Sequence, residues 1–396
     1  MVHNSYQRPG GEDAVFRGEV ELLRAAGHEV REYLEDNHRV QDMNPVRLGA
    51  KTIWSAASRR HVGNQLAESC PDIAHFHNTF PLISPSAYYA CMEAGVPVVQ
   101  TLHNYRLLCP DALLYRDGSV CEDCLKKSVK WPGIVHACYR ESRLATATVA
   151  TMVAVHDGLG TWKKKVARYI ALSEFSRRKF IEGGLPASRI DVKPNFVSPD
   201  PGMRRRNGNC ALYVGRLSAE KGPQLLLRAW KDAKLSIPLR LIGDGPLRQD
   251  LAREKENAGL SAIEFNGSLA KDSVLEAMKA ACFLVAPSEC YENFPLAVAE
   301  AFACGVPVIA ARLGALAEIV RDGMTGLHFE PGNAEDLASK VEWAWTHPAE
   351  MEAMGRAARA EYEAKYTAER NLEVLLNIYE KAIHSNGHAP AQVLES

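Results

Sequence analysis

Short apolar runs alternate with amphipathic stretches along most of the chain. Strand-like apolar runs occur at Ala211–Val214, Leu239–Ile242 and Phe283–Ala286. A helical pattern over Leu296–Ala303 ends near Gly305, and a strand is predicted after it over residues 306–309. This alternation is typical of a parallel sheet covered by helices. The sequence therefore predicts an α/β fold.

The first half of the chain follows the same pattern. We predict helices over residues 18–26 and Ala87–Glu93, and strands over residues 30–33, 73–77 and 96–99. The segment 94–99 (AGVPVV) also resembles 304–309 (CGVPVI). One interpretation is a duplicated architecture, and the other is a common way of joining a helix to a strand.

A proline-rich segment separates the two halves. Residues 193–202 contain three prolines, and residues 204–208 are mostly basic, which is typical of a linker. We expect one domain over 1–200, with a cysteine-containing insert at about 105–140, and a second over 201–365. A C-terminal helix is expected over 366–385, and a disordered polar tail over 386–396.

Composition and charge exclude several classes of protein. The 396 residues include 47 Lys+Arg and 48 Asp+Glu, a formal net charge of -1 that argues against a dedicated nucleic-acid binder. No apolar run reaches the roughly 18 residues of a membrane span, and no secretory signal is visible at the N-terminus. We therefore expect a cytoplasmic protein.

Two cations follow the predicted strand Ala211–Val214. Arg216 stands where the strand ends, and Lys221 stands near the start of a predicted helix. Ligands of doubly wound sheets bind at the carboxyl ends of strands, where helix N–H groups and cations suit a diphosphate. The alternative is a pair of solvated charges on a tight turn.

Two carboxylates flank the start of the helix Leu296–Ala303. Pro295 suits the first helical position, which leaves Glu292 in the preceding loop and places Glu300 within the helix. Glu300 lies five residues into the helix, which corresponds to about 7.5 Å along its axis. Glu292 and Glu300 are therefore far enough apart to hold different parts of one long ligand. The alternative places Glu300 on the solvent face.

Glycine turns and one histidine are weaker signals. Gly243, Asp244 and Gly245 follow a strand, but Arg248 replaces the third glycine of a dinucleotide fingerprint. The turn therefore indicates either close approach of a ligand to the backbone or a simple turn. Gly10 and Gly11 precede a helix, where their amides suit an anion, or they form a simple turn. His103 follows a strand, as either a ligand contact or a structural residue.

Four cysteines lie within thirty residues of one another. Cys121 and Cys124 form a Cys-x-x-Cys pair between Cys109 and Cys138, a set able to close a structural zinc site, with His136 as a substitute ligand. The flanking intervals differ from those of standard zinc ribbons. Separately buried cysteines and a redox pair remain open as alternatives.

Two basic and aromatic clusters occupy residues 162–169 and 175–181. Lys163, Lys164 and Lys165 follow Trp162, and Arg177, Arg178 and Lys179 lie between Phe175 and Phe180. Such clusters suit contact with an anionic membrane surface. An ordinary solvated helix face is the alternative interpretation.

The order of these motifs resembles that of retaining glycosyltransferases of the GT-B fold, specifically glycosyltransferase family 4. The residues that carry the resemblance are 214–222, 242–246, 287–288, 292–295 with Glu300, 314–320 and 322–326. The motif 102–110 (LHNYRLLCP) and the cysteine insert resemble a bacterial polysaccharide-assembly subset. The resemblance implies two Rossmann-like domains with parallel sheets facing a central cleft, and C-terminal helices that cross back onto the N-terminal domain.

The resemblance also implies roles for individual residues. The donor nucleotide sugar would bind the second domain and the acceptor the first. Arg216 and Lys221 would hold the diphosphate, Glu300 the ribose and Glu292 the sugar. His103 would approach the sugar and the reacting centre. The remaining residues expected to bind the donor are Gly10, Gly11, Gly215, Gly243, Asp244, Gly267, Leu269, Asn293, Phe294, Pro295 and Leu296.

The expected activity is retaining transfer of a sugar from a nucleoside-diphosphate sugar to a glycan, glycolipid or small-molecule hydroxyl. Arg216, Lys221 and helix dipoles would stabilise the leaving diphosphate without a catalytic metal or other cofactor. The expected partners are the donor and a saccharide, lipid-linked saccharide or small-molecule acceptor, with peripheral contact at the inner membrane face as an open interpretation. The alternatives are a GT-B nucleotide-sugar epimerase and a non-catalytic nucleotide-sugar-binding module.

Overall fold

The computed structural model describes residues 1–7, 10–204 and 208–385 and divides into two compact units. The first unit contains Met1–Leu114, Cys121–Lys193 and the chain from Leu372 onward, and the second contains Tyr115–Val120 and Pro194–Asn371. The predicted tail 386–396 and most of the predicted basic run lie outside the described residues.

The first unit is built on a six-stranded parallel sheet. Its strands are β1 (Val2–Ser5), β2 (Tyr33–Asp36), β3 (Ala74–Phe76), β4 (Val98–Thr101), β7 (Arg168–Ala171) and β8 (Ile190–Val192), in the order β2-β1-β3-β4-β7-β8. The short antiparallel pair β5 (Tyr115–Arg116) and β6 (Ser119–Val120) groups with the second unit.

Helices accompany this sheet along the chain. They are α1 (Gly11–Ala25), α2 (Pro45–Ile53), α3 (Ala56–Ser69), α4 (Ala87–Glu93), α5 (Trp131–Val135), α6 (Arg143–Gly158), α7 (Thr161–Lys164), α8 (Glu174–Glu182) and α16 (Ala368–Ser385). Buried residues of α16, including Leu375 and Ile378, pack with Leu23, Val99 and Ile170. The end of the chain therefore completes the core of the first unit.

The second unit contains another six-stranded parallel sheet. Its strands are β9 (Ala211–Val214), β10 (Leu239–Ile242), β11 (Ile263–Gly267), β12 (Phe283–Ala286), β13 (Val308–Ala311) and β14 (Gly326–Phe329), in the order β11-β10-β9-β12-β13-β14. Its helices are α9 (Pro223–Asp232), α10 (Arg248–Asn257), α11 (Lys271–Lys279), α12 (Leu296–Ala303), α13 (Gly314–Ile319), α14 (Ala334–Thr346) and α15 (Pro348–Lys365). This strand order is that of a Rossmann sheet.

The predicted α/β class is confirmed, although some predicted bounds are wrong. The predicted strand 30–33 lies mostly before β2, an edge strand that pairs only with β1 and keeps Leu34 half-exposed. The strands predicted at 96–99 and 306–309 begin two residues later, at Val98 and Val308. Pro97 and Pro307 precede these starts, and proline donates no hydrogen bond to a ladder.

No helix in the described part of the chain is both long enough and apolar enough to cross a membrane.

Candidate functional site

Three loops of the second unit meet at the carboxyl ends of their strands. The Gly215 amide donates to the Ile242 carbonyl at 3.0 Å, and the Gly243 amide donates to the Gly267 carbonyl at 2.8 Å. The Leu217 amide donates to the Asp244 carbonyl at 3.0 Å. The structure thus brings together four predicted donor-binding positions: Gly215, Gly243, Asp244 and Gly267. Leu269, beyond this row, is 39% exposed.

The sheet order places the next part of the site between β9 and β12. The strand order reverses there, and ligands of doubly wound sheets bind in the crevice at such a switch point. The loop after β9 carries Arg216 and Lys221, and the loop after β12 carries Glu292. A hydrogen bond of 2.9 Å from the Glu289 amide to the Glu220 carbonyl joins the two loops.

Lys221 and Glu292 form an ion pair in this crevice. Lys221 Nζ donates to Glu292 Oε1 at 2.6 Å, and Ser288 Oγ donates to the same oxygen at 2.6 Å. Burial raises the pKa of Glu292, but Lys221 and Ser288 lower it further, so it lies below its ordinary value. Burial lowers the pKa of Lys221, but Glu292 more than offsets this effect and raises it. Both groups are therefore charged at neutral pH.

Arg216 extends from the same loop toward solvent. The residue is exposed, and it makes no ion pair with a residue in the described ranges. The hydroxyl of Tyr213, a buried residue of β9, donates to the Arg216 carbonyl at 2.7 Å and so fixes the backbone. The guanidinium remains available to an anionic ligand at the end of the strand.

Glu300 is half-buried on α12 and does not lie on a fully solvated face. Its carboxylate has no hydrogen bond or ion pair with any described residue, and burial raises its pKa from 4.5 to about 7 while Lys271 lowers it slightly. A partly buried carboxylate without a partner is costly. Its position therefore suits a ligand that supplies hydrogen-bond donors.

The segment before α12 differs from the prediction in one detail. Pro295 is the N-cap, and Leu296 is the first helical residue. No described side chain caps this helix, so its first amides can reach a ligand. The buried Asn293 Oδ1 has no hydrogen-bond partner among the described residues, and Phe294 packs edge-on against Tyr366 at 5.4 Å.

The remaining predicted residues belong to the first unit. Gly10 is the N-cap of α1, and its amide donates to Asp13 Oδ2 at 2.8 Å. That amide is therefore engaged within α1 in the ligand-free protein, and the expected contact of this loop with phosphate stays a prediction. Gly11 is the exposed first residue of α1.

His103 lies two residues beyond β4, half-buried at the carboxyl edge of the sheet. Its Nε2 atom lies 2.9 Å from His77 Nδ1, and the two rings stack with centroids 5.1 Å apart. Burial lowers the pKa of His103 well below its ordinary value, so the imidazole is neutral.

Two family models match consecutive parts of the chain. The model described as Glycosyltransferase Family 4 matches residues 9–201, and the model described as Glycosyl transferases group 1 matches residues 201–361. The crystal structure of Anabaena Alr3699/HepE in complex with UDP and glucose aligns with a TM-score of 0.68 at 18% identity, over 95% of this chain and 98% of that one. The chain belongs to the GT-B glycosyltransferases.

The curated relatives of this glycosyltransferase include a plant protein and a bacterial one. Sulfoquinovosyl transferase SQD2 of Arabidopsis thaliana is 36% identical over 177 residues, which are 43% of this chain and 34% of that protein. D-inositol 3-phosphate glycosyltransferase of Rhodococcus erythropolis is 27% identical over 329 residues, 80% of this chain and 70% of that protein. The match thus spans only about a third of the plant relative.

A polar cluster at the start of α1 in this glycosyltransferase was not predicted from the sequence. The Tyr6 hydroxyl donates to Glu12 Oε2 at 2.9 Å, and Asn104 Nδ2 lies 3.4 Å from the same oxygen. Burial raises the pKa of Glu12 to about 8. Glu12 directly follows the glycine pair, and Asn104 directly follows His103. Their positions beside predicted site residues are the signal that could have identified them.

The four cysteines of the insert do not form a common ligand set in the structure. Among the residues described, the group whose ligand atoms all lie within 4.8 Å of one another is Glu19, His75 and His77. Burial raises the pKa of Cys124 to about 11, and the neighbouring thiols of Cys109 and Cys138 add to this effect. Three of the cysteines are thus electrostatic neighbours, and the zinc site stays a prediction.

The two basic clusters place their largest apolar side chains inward. Trp162 and Phe180 are buried, whereas Lys163 and Lys164 are exposed. Lys179 pairs with Glu122 at 2.6 Å and with Glu182 at 3.1 Å. Trp162 and Phe180 thus anchor their helices in the core, whereas Lys163 and Lys164 face solvent.

Proposed function

We propose that this chain is a retaining glycosyltransferase that moves a sugar from a nucleoside-diphosphate sugar to the hydroxyl of a saccharide, a lipid-linked saccharide or a small molecule. One observation carries the proposal. The crevice between β9 and β12 contains an exposed guanidinium and a Lys221–Glu292 ion pair, and the helix α12 that follows carries Glu300, a half-buried carboxylate without a partner among the described residues. This combination matches the phosphate, sugar and ribose parts of one donor.

In the proposed complex, Arg216 and Lys221 bind the diphosphate. Glu292 accepts hydrogen bonds from the donor sugar, and Glu300 accepts them from the ribose hydroxyls. The first amides of α12 and the loop at Gly267 and Leu269 complete the contacts. The UDP named for the HepE structure supports a uridine nucleotide as the first donor to test.

The proposed chemistry follows from where charge develops. When the bond between the anomeric carbon and the diphosphate oxygen breaks, negative charge grows on the leaving group and positive charge on the sugar. Arg216 and Lys221 stabilise the former from fixed positions, and Glu292 stabilises and orients the latter. The acceptor oxygen then bonds to the same face of the anomeric carbon, and its proton passes to the departing phosphate oxygen.

Lys221 already contacts Glu292 before any donor arrives. An ammonium group has three donors, so Lys221 is able to contact the diphosphate while it keeps the carboxylate in place. We propose that these side chains stabilise the leaving group without a catalytic metal. In the first unit, His103 is the proposed catalytic residue, and we propose that the polar cluster at Glu12 binds the acceptor.

The test combines donor turnover with three site variants. Glu292→Ala, Arg216→Ala and Lys221→Ala should each lower transfer from a nucleoside-diphosphate sugar at least about tenfold, the loss expected for a charged hydrogen bond. Arg253→Ala is the control, because Arg253 is an exposed residue of α10 that pairs with Asp250 outside this crevice. Circular dichroism verifies folding. Unchanged turnover in all three site variants would contradict the proposal.

The same assay separates the alternatives. Conversion of the donor to a stereoisomer without an acceptor would indicate an epimerase. Donor binding by calorimetry without transfer to any acceptor pool would indicate a non-catalytic module. The anomeric configuration of the product, measured by NMR, tests retention directly.

We also propose a role in bacterial polysaccharide assembly, a cytoplasmic location with peripheral membrane contact, and a structural zinc ion in the insert. Flotation with anionic and neutral vesicles tests the membrane contact. Metal analysis of the reduced, folded protein tests the zinc, and a content near zero would reject it.

A further inference from the structure

One side of α6 in the first unit is exposed to solvent although it carries no charge. Between its ends at Arg143 and Asp157 the helix contains no Asp, Glu, Lys or Arg. The exposed residues of this stretch, together with one residue just after the helix, are spaced seven or four positions apart and share one face: Leu144, Thr151, Val155 and Leu159. A surface helix ordinarily turns charged or polar residues to water. The uncharged side of α6 therefore indicates a surface that meets something other than water.

The helix α2 lies beside α6 and runs in the same direction. A Cβ at Gly49 would lie 3.5 Å from the Thr148 side chain. Further along both helices, His156 Nε2 donates to the Ile53 carbonyl at 2.8 Å. The first turns of α2 and α6 are therefore at the same end of the pair, and Val46, in the first turn of α2, is 80% exposed there.

The helix α5 also packs against α6. In the turn that follows α5, the Tyr139 amide donates to Thr146 Oγ1 at 3.0 Å. Thr146 and Thr148 are two positions apart, about 200° around a helix, so the contacts with this turn and with α2 lie on opposite sides of α6. The outer side of α5 is apolar as well, with exposed Trp131 and Val135. We call the exposed apolar side chains of the three helices the apolar face: Val46, Trp131, Val135, Leu144, Val155 and Leu159.

Cations border the apolar face. Residues 126–165 contain eight Lys or Arg but only two Asp or Glu. Lys127 Nζ lies 5.8 Å from the centroid of the Trp131 ring, and Arg143 directly precedes Leu144. The exposed cations of this part of the chain are Lys126, Lys127, Arg140, Arg143, Lys163 and Lys164. The surface thus combines exposed apolar side chains with a strong excess of positive charge.

This combination decides which kind of partner fits. A second copy of the chain would set the cations of one face against those of the other, and like charges across an interface are unfavourable. An anionic bilayer offers phosphate groups to the cations and an apolar layer to the Val, Leu and Trp side chains. Tryptophan is also enriched where a protein meets the boundary between membrane and water.

We propose that the apolar face and its bordering cations form the surface by which the first unit binds an anionic phospholipid bilayer. The helix α6 would lie in the plane of the membrane surface, with Leu144 and Val155 among the headgroups. The inference goes beyond the sugar transfer proposed above and does not depend on it. It gives the membrane contact a location that differs from the two basic clusters, where Trp162 and Phe180 are buried.

The first test is flotation of the full chain with vesicles, without donor or acceptor. We expect strong binding to vesicles of phosphatidylglycerol and phosphatidylcholine in equal parts, and weak binding to phosphatidylcholine alone. Binding should fall as salt rises from about 0.1 M to about 0.5 M, because salt screens exposed charges. A chain that floats with neither kind of vesicle would overturn the proposal.

Two substitutions on α6 locate the contact. Leu144→Glu/Val155→Glu puts two carboxylates into the apolar face and should weaken binding to the anionic vesicles about tenfold or more. Leu34→Glu/Met324→Glu is the matched control, because it makes the same change of charge at exposed apolar positions outside the face. Circular dichroism and thermal unfolding verify folding. Equal losses of binding in the two variants would contradict the proposal.

The contribution of the cations is tested separately. Arg140→Gln/Arg143→Gln should weaken binding to anionic vesicles and leave binding to neutral vesicles unchanged. Arg31→Gln/Arg60→Gln removes the same charge from exposed positions elsewhere in the first unit and should have little effect. If Lys163→Gln/Lys164→Gln alone released the protein, the contact would belong to the basic cluster at 162–169, and the proposed location would be wrong.

Two further outcomes separate this inference from its alternatives. Sedimentation of the protein without vesicles tests a second copy as the partner. A dimer that Leu144→Glu/Val155→Glu converts to a monomer would overturn the assignment to a membrane. Vesicle binding by a chain without transferase activity would contradict the proposed function alone. Sugar transfer by a chain that binds no vesicles would contradict the membrane surface alone.

Discussion

Two carboxylates eight positions apart have opposite electrostatic environments. Glu292 has both an ammonium and a hydroxyl within hydrogen-bonding distance, and its pKa is lowered. Glu300 has no such partner among the described residues, and its pKa is raised to about 7. Glu292 is thus stabilised in the free protein, whereas ionised Glu300 is destabilised until a ligand supplies donors.

Glu300 should therefore make stability depend on pH. A carboxyl group with a folded-state pKa of about 7 and an ordinary value of 4.5 binds more protons in the folded state between these values. Stability falls as pH rises through this window, and the loss is complete above pH 7. We expect Glu300→Gln to be more stable than the parent by about 1–3 kcal/mol at pH 8, with little difference at pH 4.

Urea unfolding at pH 4 and pH 8 measures the difference in stability between Glu300→Gln and the parent. Calorimetry with UDP or a UDP-sugar measures the loss of ligand affinity in the same variant. Glu300→Gln should bind the nucleotide about tenfold more weakly or worse, because it loses charged hydrogen bonds. Glu292→Gln is the contrasting variant and should lose stability at neutral pH, since Lys221 is left without its anion. Equal stability of Glu300→Gln and parent at pH 8 would contradict the raised pKa.

At the scale of elements, one glycine sets the distance between the loops after β9 and β12. Gly222 precedes α9 with φ +67°, and a Cβ there would lie 2.1 Å from the Pro287 carbonyl oxygen. Pro287 directly precedes Ser288, which bonds Glu292. Because backbone meets backbone at this point, a side chain at position 222 must push the two loops apart.

Gly222→Ala should therefore destabilise the second unit by about 2–4 kcal/mol, about 1 from the positive φ and the rest from overpacking. Gly259→Ala is a matched control, since Gly259 has φ +63° and nothing within 4 Å of the added Cβ. Chemical denaturation compares the two. Equal losses in the free energy of unfolding of the two variants would show that the contact with Pro287 adds nothing to the destabilisation.

The sequence predicted elements best where burial is complete. Three strands of the second sheet have the predicted bounds, because parallel strands buried on both faces read as continuous apolar runs: Ala211–Val214, Leu239–Ile242 and Phe283–Ala286. The edge strand β2 contains Glu35 and Asp36 and shows no such run. The local sequence pattern therefore predicts a strand poorly when that strand has only one neighbour in the sheet.

The residues of the candidate site also differ in how well the local sequence predicts their position. Arg216, Lys221, Glu292 and the glycines of the second unit follow strands directly, so their place at the crevice could be predicted. Asn104 and Glu12 lie 92 positions apart, and only the tertiary fold brings them together. The contact of the Gly10 amide with Asp13 was also hidden, since a glycine pair before a helix does not show which side chain will accept from its amides.

At the scale of the whole molecule, the first unit is discontinuous in sequence. The chain leaves it at Lys193 and contributes to it again from Leu372. Leu375, Ile378 and Ala382 of α16 are buried in a cluster with strand residues Val99 and Ile170. The stability of the first unit thus depends on a helix encoded after the whole of the second.

This dependence predicts that a change in α16 affects the first unit selectively. Leu375 is fully buried, so Leu375→Ala should cost about 2–5 kcal/mol through lost burial and a cavity. In calorimetry we expect one unfolding transition to move to lower temperature, while the transition that UDP raises stays in place. Asn377→Ala, an exposed change on the same helix, should move neither. Equal displacement of both transitions by Leu375→Ala would show that the units unfold as one, and the contribution of α16 would then belong to the whole molecule.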